Sequence, residues 1–452
     1  MTSGSAAGRR GDRRTAALAR AVEDGLLGPR SPVVGLLDVD GVLAAVDALN
    51  EAFRGPYEGP APVQHTFAAK ACGLVPVLRL LADAGMGCEV ASPGELEQAL
   101  AAGFPYERLV FDSPAKTVEE LEFALAHGIA VNLDNFQELA RVDRLLAGRE
   151  AAGPIGLRVN PQVGAGAIGA MSTATATSKF GVALRDAGAE DAVIEAFERR
   201  PWLNRLHAHV GSQGCPLPLV AEGIRTAYEL AERINDRLGR ARITGIDIGG
   251  GLPVNFDDEE DRPTYADYVA GLREAVPGLF DGRYTLVTEF GRSLLAKSGT
   301  IGTVVEYTKS AGGRRIAVTH AGAQVATRTV FMPGSWPLRV GVLDAAGRPK
   351  QGPAETVDIA GPCCFAGDLT ATARELPAVE PGDVVALYDT GAYYFSSHFS
   401  YNSLPRPAVY GYRTDAGGRV RFALVREAQS VREVVEESGL AQADSLVTLS
   451  AG

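Results

Sequence analysis

Residues 65–72 read HTFAAKAC, and the single lysine in that small, apolar run, Lys70, decides how the chain is read. The run has the composition of a buried strand, yet an unpaired ammonium taken out of water is costly or gives up its proton. Either the side chain reaches outward to solvent or its amine is kept for chemistry. The segment alone leaves both open.

Working outward from Lys70, short β-rich runs recur at roughly regular intervals, each followed by a stretch of helical periodicity. There are eight: HTFAAKA from 65, CEVAS from 88, LVFDS from 109, AVNLD from 130, IGLRVN from 155, LHAHVGS from 206, GIDIGGG from 245 and YTLVTEFGR from 284. Segments such as TVEELEFALAHG and PLVAEGIRTAYELAERINDRLG lie between them. Eight such units in series predict a closed parallel (β/α)8 TIM barrel with its helices outside. Polar residues gather at the C-terminal ends of the runs: Lys70, Ser92, Asp112, Asp134, Arg158, Asn160, His209, Ser212, Gly249 to Gly251, Glu289 and Arg292. In such barrels that rim carries the chemistry, which favours the retained amine.

After EFGRSLLAKSGT the pattern changes to alternating strands punctuated by Gly and Pro, which predicts a second, all-β domain resembling a sandwich or barrel. The expected organisation is a disordered polar tail over 1–30 and a segment over 31–55 that contributes a strand and a helix to the β domain. The barrel then covers 56–298, and the β domain 299–452. At 452 residues, 46% hydrophobic and 22% charged, the chain has the profile of a soluble globular protein of two domains. A net charge of -11 argues against a nucleic-acid partner. No apolar segment is long enough for a membrane span. The five cysteines, Cys72, Cys88, Cys215, Cys363 and Cys364, lack the spacing of a disulfide framework or a metal site, so no metal is expected and a cytoplasmic setting fits.

At the rim, DIGGG lets backbone N–H groups approach an anion without Cβ hindrance, though a plain tight turn reads the same way. HVGSQ adds the Ser212 hydroxyl, and EFGR adds the Gly291 N–H and the Arg292 guanidinium. These donors follow the sixth, seventh and eighth strands, where many barrels hold a phosphate. A lysine amine, a phosphate cradle, a carboxylate and a flat aromatic side chain together meet the needs of pyridoxal 5'-phosphate. Glu289 suits the pyridine nitrogen, and His209 suits stacking on the ring.

FAAKA, GCEVASPGEL, RVNP, SKFGV, HAHVGSQ, DIGGGLP, EFGR, GPCCFAGD and DTGAYYF occur in an order that resembles the fold-type III pyridoxal-phosphate-dependent decarboxylases. The chain is particularly similar to the diaminopimelate decarboxylases, and more distantly to ornithine decarboxylase, from about Ser31 to Gly411. The resemblance implies that Lys70 joins the cofactor's aldehyde, His209 stacks on the ring, and Glu289 pairs with its nitrogen. It places Ser212, Gly250, Gly251, Gly291, Arg292 and Tyr393 around the phosphate and makes Cys364 catalytic. Arg292, Arg328, Met332, Phe365, Asp368 and Tyr393 fall at substrate positions. It also implies an obligate homodimer with shared active sites.

Diaminopimelate decarboxylases carry a glutamate directly after the catalytic cysteine, where this chain has Phe365. They also carry a tyrosine four residues beyond the arginine, in a region read here as a strand, where this chain has Met332. The expectation is therefore a decarboxylase of an amino acid or amino-acid-derived substrate, free or carrier-linked, other than meso-diaminopimelate, with Arg328 meeting a distal anion. An amino-acid racemase or epimerase and a non-catalytic pyridoxal-phosphate-binding regulator are the alternatives. Glu289 with Cys364 argues against the first, and the joint presence of Lys70, Glu289, Cys364 and Tyr393 argues against the second.

Overall fold

Each of the eight runs contains a strand. In the computed structural model, which describes residues 6–449 apart from Glu58 and Pro60, these are β1 (Val63–Ala68), β2 (Gly87–Val90), β3 (Leu109–Phe111), β4 (Ala130–Leu133), β5 (Ile155–Asn160), β6 (Leu203–His207), β7 (Gly245–Asp247) and β8 (Thr285–Phe290). Neighbours pair in parallel throughout. The sheet closes where Leu286 of β8 lies opposite Val63 of β1. Strands covered on both faces call for near-continuous apolar sequence, and LVF of β3, buried at all three residues, meets that demand.

Side-chain caps fix where the outer helices begin. Ser92, Thr117, Asn135 and Thr264 each accept the N–H of the residue three positions on, at the starts of the helices Pro93–Ala101, Val118–His127, Phe136–Leu146 and Tyr265–Ala275. Each satisfies one otherwise orphaned first-turn donor, worth about 1 kcal/mol. The first three sit within a few residues of the strand before them, which keeps those rim loops short.

The chain divides into two compact units. The barrel unit is Asp40–Asn255 with Glu260–Lys297; the other comprises the residues up to Val39, Phe256–Glu259 and the chain from Ser298 onward. The second unit is built on a nine-stranded mixed sheet. Its strand Val33–Asp38 lies between Gly299–Ala311, antiparallel, and Ala408–Thr414, parallel. No helix of the described residues is long and apolar enough to cross a membrane.

Three expectations change. The tail over 1–30 is not disordered where described: Ala6–Glu23 is a helix, and Ala17, Leu18 and Ala21, with Leu27 beyond its end, are buried among Val34, Leu36, Val304, Ala386 and Tyr412. Arg14 pairs with Glu259, and its guanidinium lies 3.9 Å from the centre of the Tyr388 ring. Residues 1–5 fall outside the described residues. The segment 31–55 is split, its strand joining the β unit and all but the first residue of its helix, Val39–Arg54, belonging to the barrel unit. The region around Arg328, read as a strand, is the helix Ala323–Phe331.

Candidate active site

β1 ends at Ala68, and the chain turns at once into a single 3-10 turn, Ala69–Ala71. Ala69 and Ala71 are fully buried, whereas the Lys70 side chain is 44% exposed. Of the two readings the sequence leaves open, the turn carries the side chain outward while its amine still meets a buried acid. Its Nζ donates to Glu89 Oε2 at 2.7 Å, and Glu89, on β2, has no solvent contact. Burial pushes the Glu89 carboxyl up to about 7, with Asp112 adding to the rise and Lys70 opposing it.

Beneath this pair the barrel interior is polar. Successive inward positions on a strand are two apart, so Arg205 and His207 of β6 and His209 just beyond it share a face. His207 is fully buried, with Nδ1 3.6 Å from Asp112 Oδ1 and Nε2 3.6 Å from Glu289 Oε2. Asp112, one residue past β3, also accepts from Arg158 Nη1 at 3.1 Å. Burial opposes its ionisation, but Arg158, then His207, Lys116 and Lys70, hold the Asp112 carboxyl below the usual carboxylate range. Glu289 is the opposite case. Burial, reinforced by Asp247, Asp112 and Glu89 and opposed by Lys70, drives its proton affinity well above the usual carboxylate range. Its Oε1 is buried without a hydrogen-bond partner.

The turn after β7 forms the next wall. Gly249 N–H donates to Asp247 Oδ1 at 3.0 Å and Gly250 N–H to His209 Nδ1 at 3.1 Å. Burial, with Arg158 and Lys70 adding to it, keeps His209 neutral, so the accepting Nδ1 leaves the proton on Nε2. Gly249 and Gly251 adopt φ of +63° and +105°, open to glycine at little cost. A Cβ at Gly250 would overlap the Glu289 carbonyl, and one at Gly251 the Gly211 carbonyl. Ser212 follows Gly211 on the sixth-strand loop, its N–H held by the Met171 carbonyl at 2.9 Å. Gly291 sits against Ala68 and Ala71, beside the lysine turn, and Arg292, buried, opens the helix Arg292–Leu295. Lys70, His209, Ser212, Gly250, Gly251, Glu289, Gly291 and Arg292 thus lie at the C-terminal ends of β1, β6, β7 and β8.

The remaining candidates, Arg328, Met332, Cys364, Phe365, Asp368 and Tyr393, belong to the second unit. Asp368 is buried and accepts N–H groups from Ala323 and Cys363, both at 2.6 Å. Through these bonds it holds the cysteine loop to the start of the helix Ala323–Phe331. Cys364 is exposed, its N–H bonded to Asn402 Oδ1 at 2.7 Å. Phe365 stacks on Phe331 with ring centroids 5.5 Å apart and planes 4° from parallel, and Tyr401 meets Phe365 edge-on at 5.3 Å. The Arg328 guanidinium lies 4.3 Å from the centre of the Tyr393 ring, and Met332 is exposed. Tyr393 has φ of 69°, a strained left-handed conformation for an aromatic residue.

Sequence reasoning passed over Glu89 and His207, each inside a strand run. The available signal was an ionisable residue at an inward position: Glu89 between Cys88 and Val90, and His207 two residues before His209. The barrel residues fit pyridoxal phosphate: an amine at the rim, a buried carboxyl with an unpartnered oxygen, an imidazole whose Nδ1 accepts from Gly250, and a turn closed to any Cβ.

The chain is similar to known proteins along most of its length. Residues 43–296 match the pyridoxal binding domain of the pyridoxal-dependent decarboxylases. A diaminopimelate decarboxylase of Pseudomonas fluorescens is 36% identical over 370 residues, covering 81% of this chain and 85% of that protein. One from Methanothermobacter thermautotrophicus is 33% identical, covering 80% and 82%. The crystal structure of the Helicobacter pylori diaminopimelate decarboxylase complexed with L-lysine superposes with a TM-score of 0.77 at 27% identity, covering 90% of this chain and 97% of that one.

Proposed function

The chain belongs to the pyridoxal-dependent decarboxylases and is a carboxy-lyase that uses pyridoxal 5'-phosphate; from that premise we propose which residues act and on what substrate. Lys70 would hold the cofactor through its aldehyde carbon. His209 would lie against the ring, Glu289 would meet its nitrogen, and Ser212, Gly250, Gly251, Gly291, Arg292 and Tyr393 would hold the phosphate. The bound cofactor supplies an electron sink for the pair left at Cα when carbon dioxide departs. Cys364 or Lys70 returns a proton to that carbon. The observation that carries this reading is the conjunction at one barrel rim of the Lys70 amine and a buried Glu289 whose Oε1 has no hydrogen-bond partner. Borohydride reduction followed by peptide mapping should find the pyridoxyl label on Lys70; a label elsewhere, or none, refutes it.

For the substrate we infer a distal group other than the ammonium of meso-diaminopimelate. Support comes from Phe365, which follows Cys364 and lies flat on Phe331, leaving no carboxylate at that position. A site without the partner a polar group needs rejects that group. Arg328 supplies a cation for a distal anion. The activity named for the relatives favours meso-diaminopimelate as a second reading. Carbon dioxide release from meso-diaminopimelate, other amino acids and aminoacyl conjugates separates the two. Phe365→Glu should raise kcat/KM for meso-diaminopimelate, and a wild type that prefers this substrate sinks the argument. We further read the working form as a cytoplasmic homodimer in which the Cys364 loop serves a second copy's barrel, with neither nucleic acid nor membrane as partner.

A further inference from the structure

We propose that His207, anchored by Asp112, is a positioning residue that controls whether Glu289 stands as an acid or as a carboxylate at the cofactor's ring nitrogen. The inference deepens the role given to Glu289 and rests on that reading.

His207 is fully buried, and neither ring nitrogen has a hydrogen-bond partner. Each nevertheless faces a carboxyl oxygen 3.6 Å away, Asp112 on one side and Glu289 on the other. That is about half an ångström longer than a hydrogen bond, a gap that cofactor-free sites often show. Arg158 fixes Asp112 as the anion, which favours the imidazole proton on Nδ1 and turns the Nε2 lone pair toward Glu289. When Glu289 carries its proton, two mobile protons are shared by the three groups, one on Nδ1 and one on Glu289. Transfer of the second from Glu289 Oε2 to His207 Nε2 leaves a Glu289 carboxylate beside an imidazolium, itself flanked by the Asp112 carboxylate. Glu289 can therefore become an anion inside the barrel without leaving a buried charge uncompensated. Burial lowers the proton affinity of the imidazole; Asp112 and Asp247 on β7 oppose that fall, and Arg158 on β5 and Lys70 after β1 add to it, so the Asp112 carboxylate is what makes an imidazolium accessible. His209 lies on the same face of β6.

The three ligand-type atoms lie within 4.8 Å of one another, so a bound cation is the competing explanation. The test uses the cofactor-loaded enzyme. His207→Gln and the isosteric Asp112→Asn should each lower kcat by about 10- to 100-fold, the scale of one hydrogen bond to a charged group, with KM little changed. Both should also displace the pH dependence of the cofactor's visible absorption and of kcat in the same direction. Unmoved pH profiles in both variants overturn the proposal, as does a stoichiometric divalent ion in the purified enzyme. Wild-type protein that carries no label on Lys70 overturns the underlying reading instead, so the two failures are told apart.

Discussion

Replacing Glu89 with glutamine should change how the cofactor-free protein responds to pH, and the structure fixes both size and sign. Glu89 is wholly buried, and its carboxyl ionises at about 7 against an ordinary 4.5. A group whose proton affinity rises on folding contributes stability below its unfolded value and loses it as pH climbs through the folded one. Across the interval from 4.5 to about 7, at about 1.4 kcal/mol per pH unit, the loss is about 3 kcal/mol, most of it between pH 5 and 8. Glutamine has no proton to lose. Its loss of the Lys70 ion pair lowers stability by a separate, smaller amount, because the lysine is 44% exposed and solvent screens it. Urea unfolding of both proteins, stripped of cofactor, at pH 5 and pH 8 should therefore show the variant gaining about 2–3 kcal/mol on the wild type across that range. Parallel pH dependences would show that Glu89 ionises normally in the fold, and the account of a buried acid beneath Lys70 would be wrong.

Gly250→Ala drives a methyl into the Glu289 carbonyl and displaces the N–H that His209 accepts, so affinity for pyridoxal phosphate should fall about tenfold or more, read by titrating the stripped protein. An unchanged dissociation constant removes the glycine turn from the cofactor site. Lys70→Ala and Cys364→Ala should each be inactive, yet mixing them under conditions of subunit exchange should restore about a quarter of wild-type activity, since a two-fold dimer of shared sites then regains one intact site per mixed pair. No recovery despite demonstrated exchange argues against shared sites.

The barrel was legible because the strands repeat one local signal, a short apolar run followed by a polar residue and a helix, with a side-chain cap at four of those helices, as after VFDS or VNLD. Lys70 was harder. Its alanine neighbours are indeed buried, but a single 3-10 turn reverses the direction of one side chain, and composition carries no trace of that. The N-terminal helix escaped notice because GRRGDRR contains two glycines and little apolar surface. Its stability comes from three small contacts, Ala17, Leu18 and Ala21, with a distant sheet. The helix carrying Arg328 was mistaken for a strand because Val and Thr dominate AQVATRTVF; burial of Ala323, Val330 and Gln324 overrides that preference. Glu89 and His207 hid inside strands for a related reason: what makes them notable is the carboxyl or amine across the barrel, which only closure brings near.

The strand Val33–Asp38 sits at the middle of its sheet, although 270 residues separate Val33 from its neighbour Thr303 and 374 separate Val34 from Ala408. At a ribosome's pace of about 5–20 residues per second, it emerges roughly 15–50 s before the first of these partners exists. The whole barrel is synthesised within that delay. A nascent chain at this stage exposes an apolar segment with unsatisfied backbone on both sides, the form most exposed to wrong pairing with other chains. The sequence separation alone thus makes Val33–Asp38 the strand that waits longest for its neighbours.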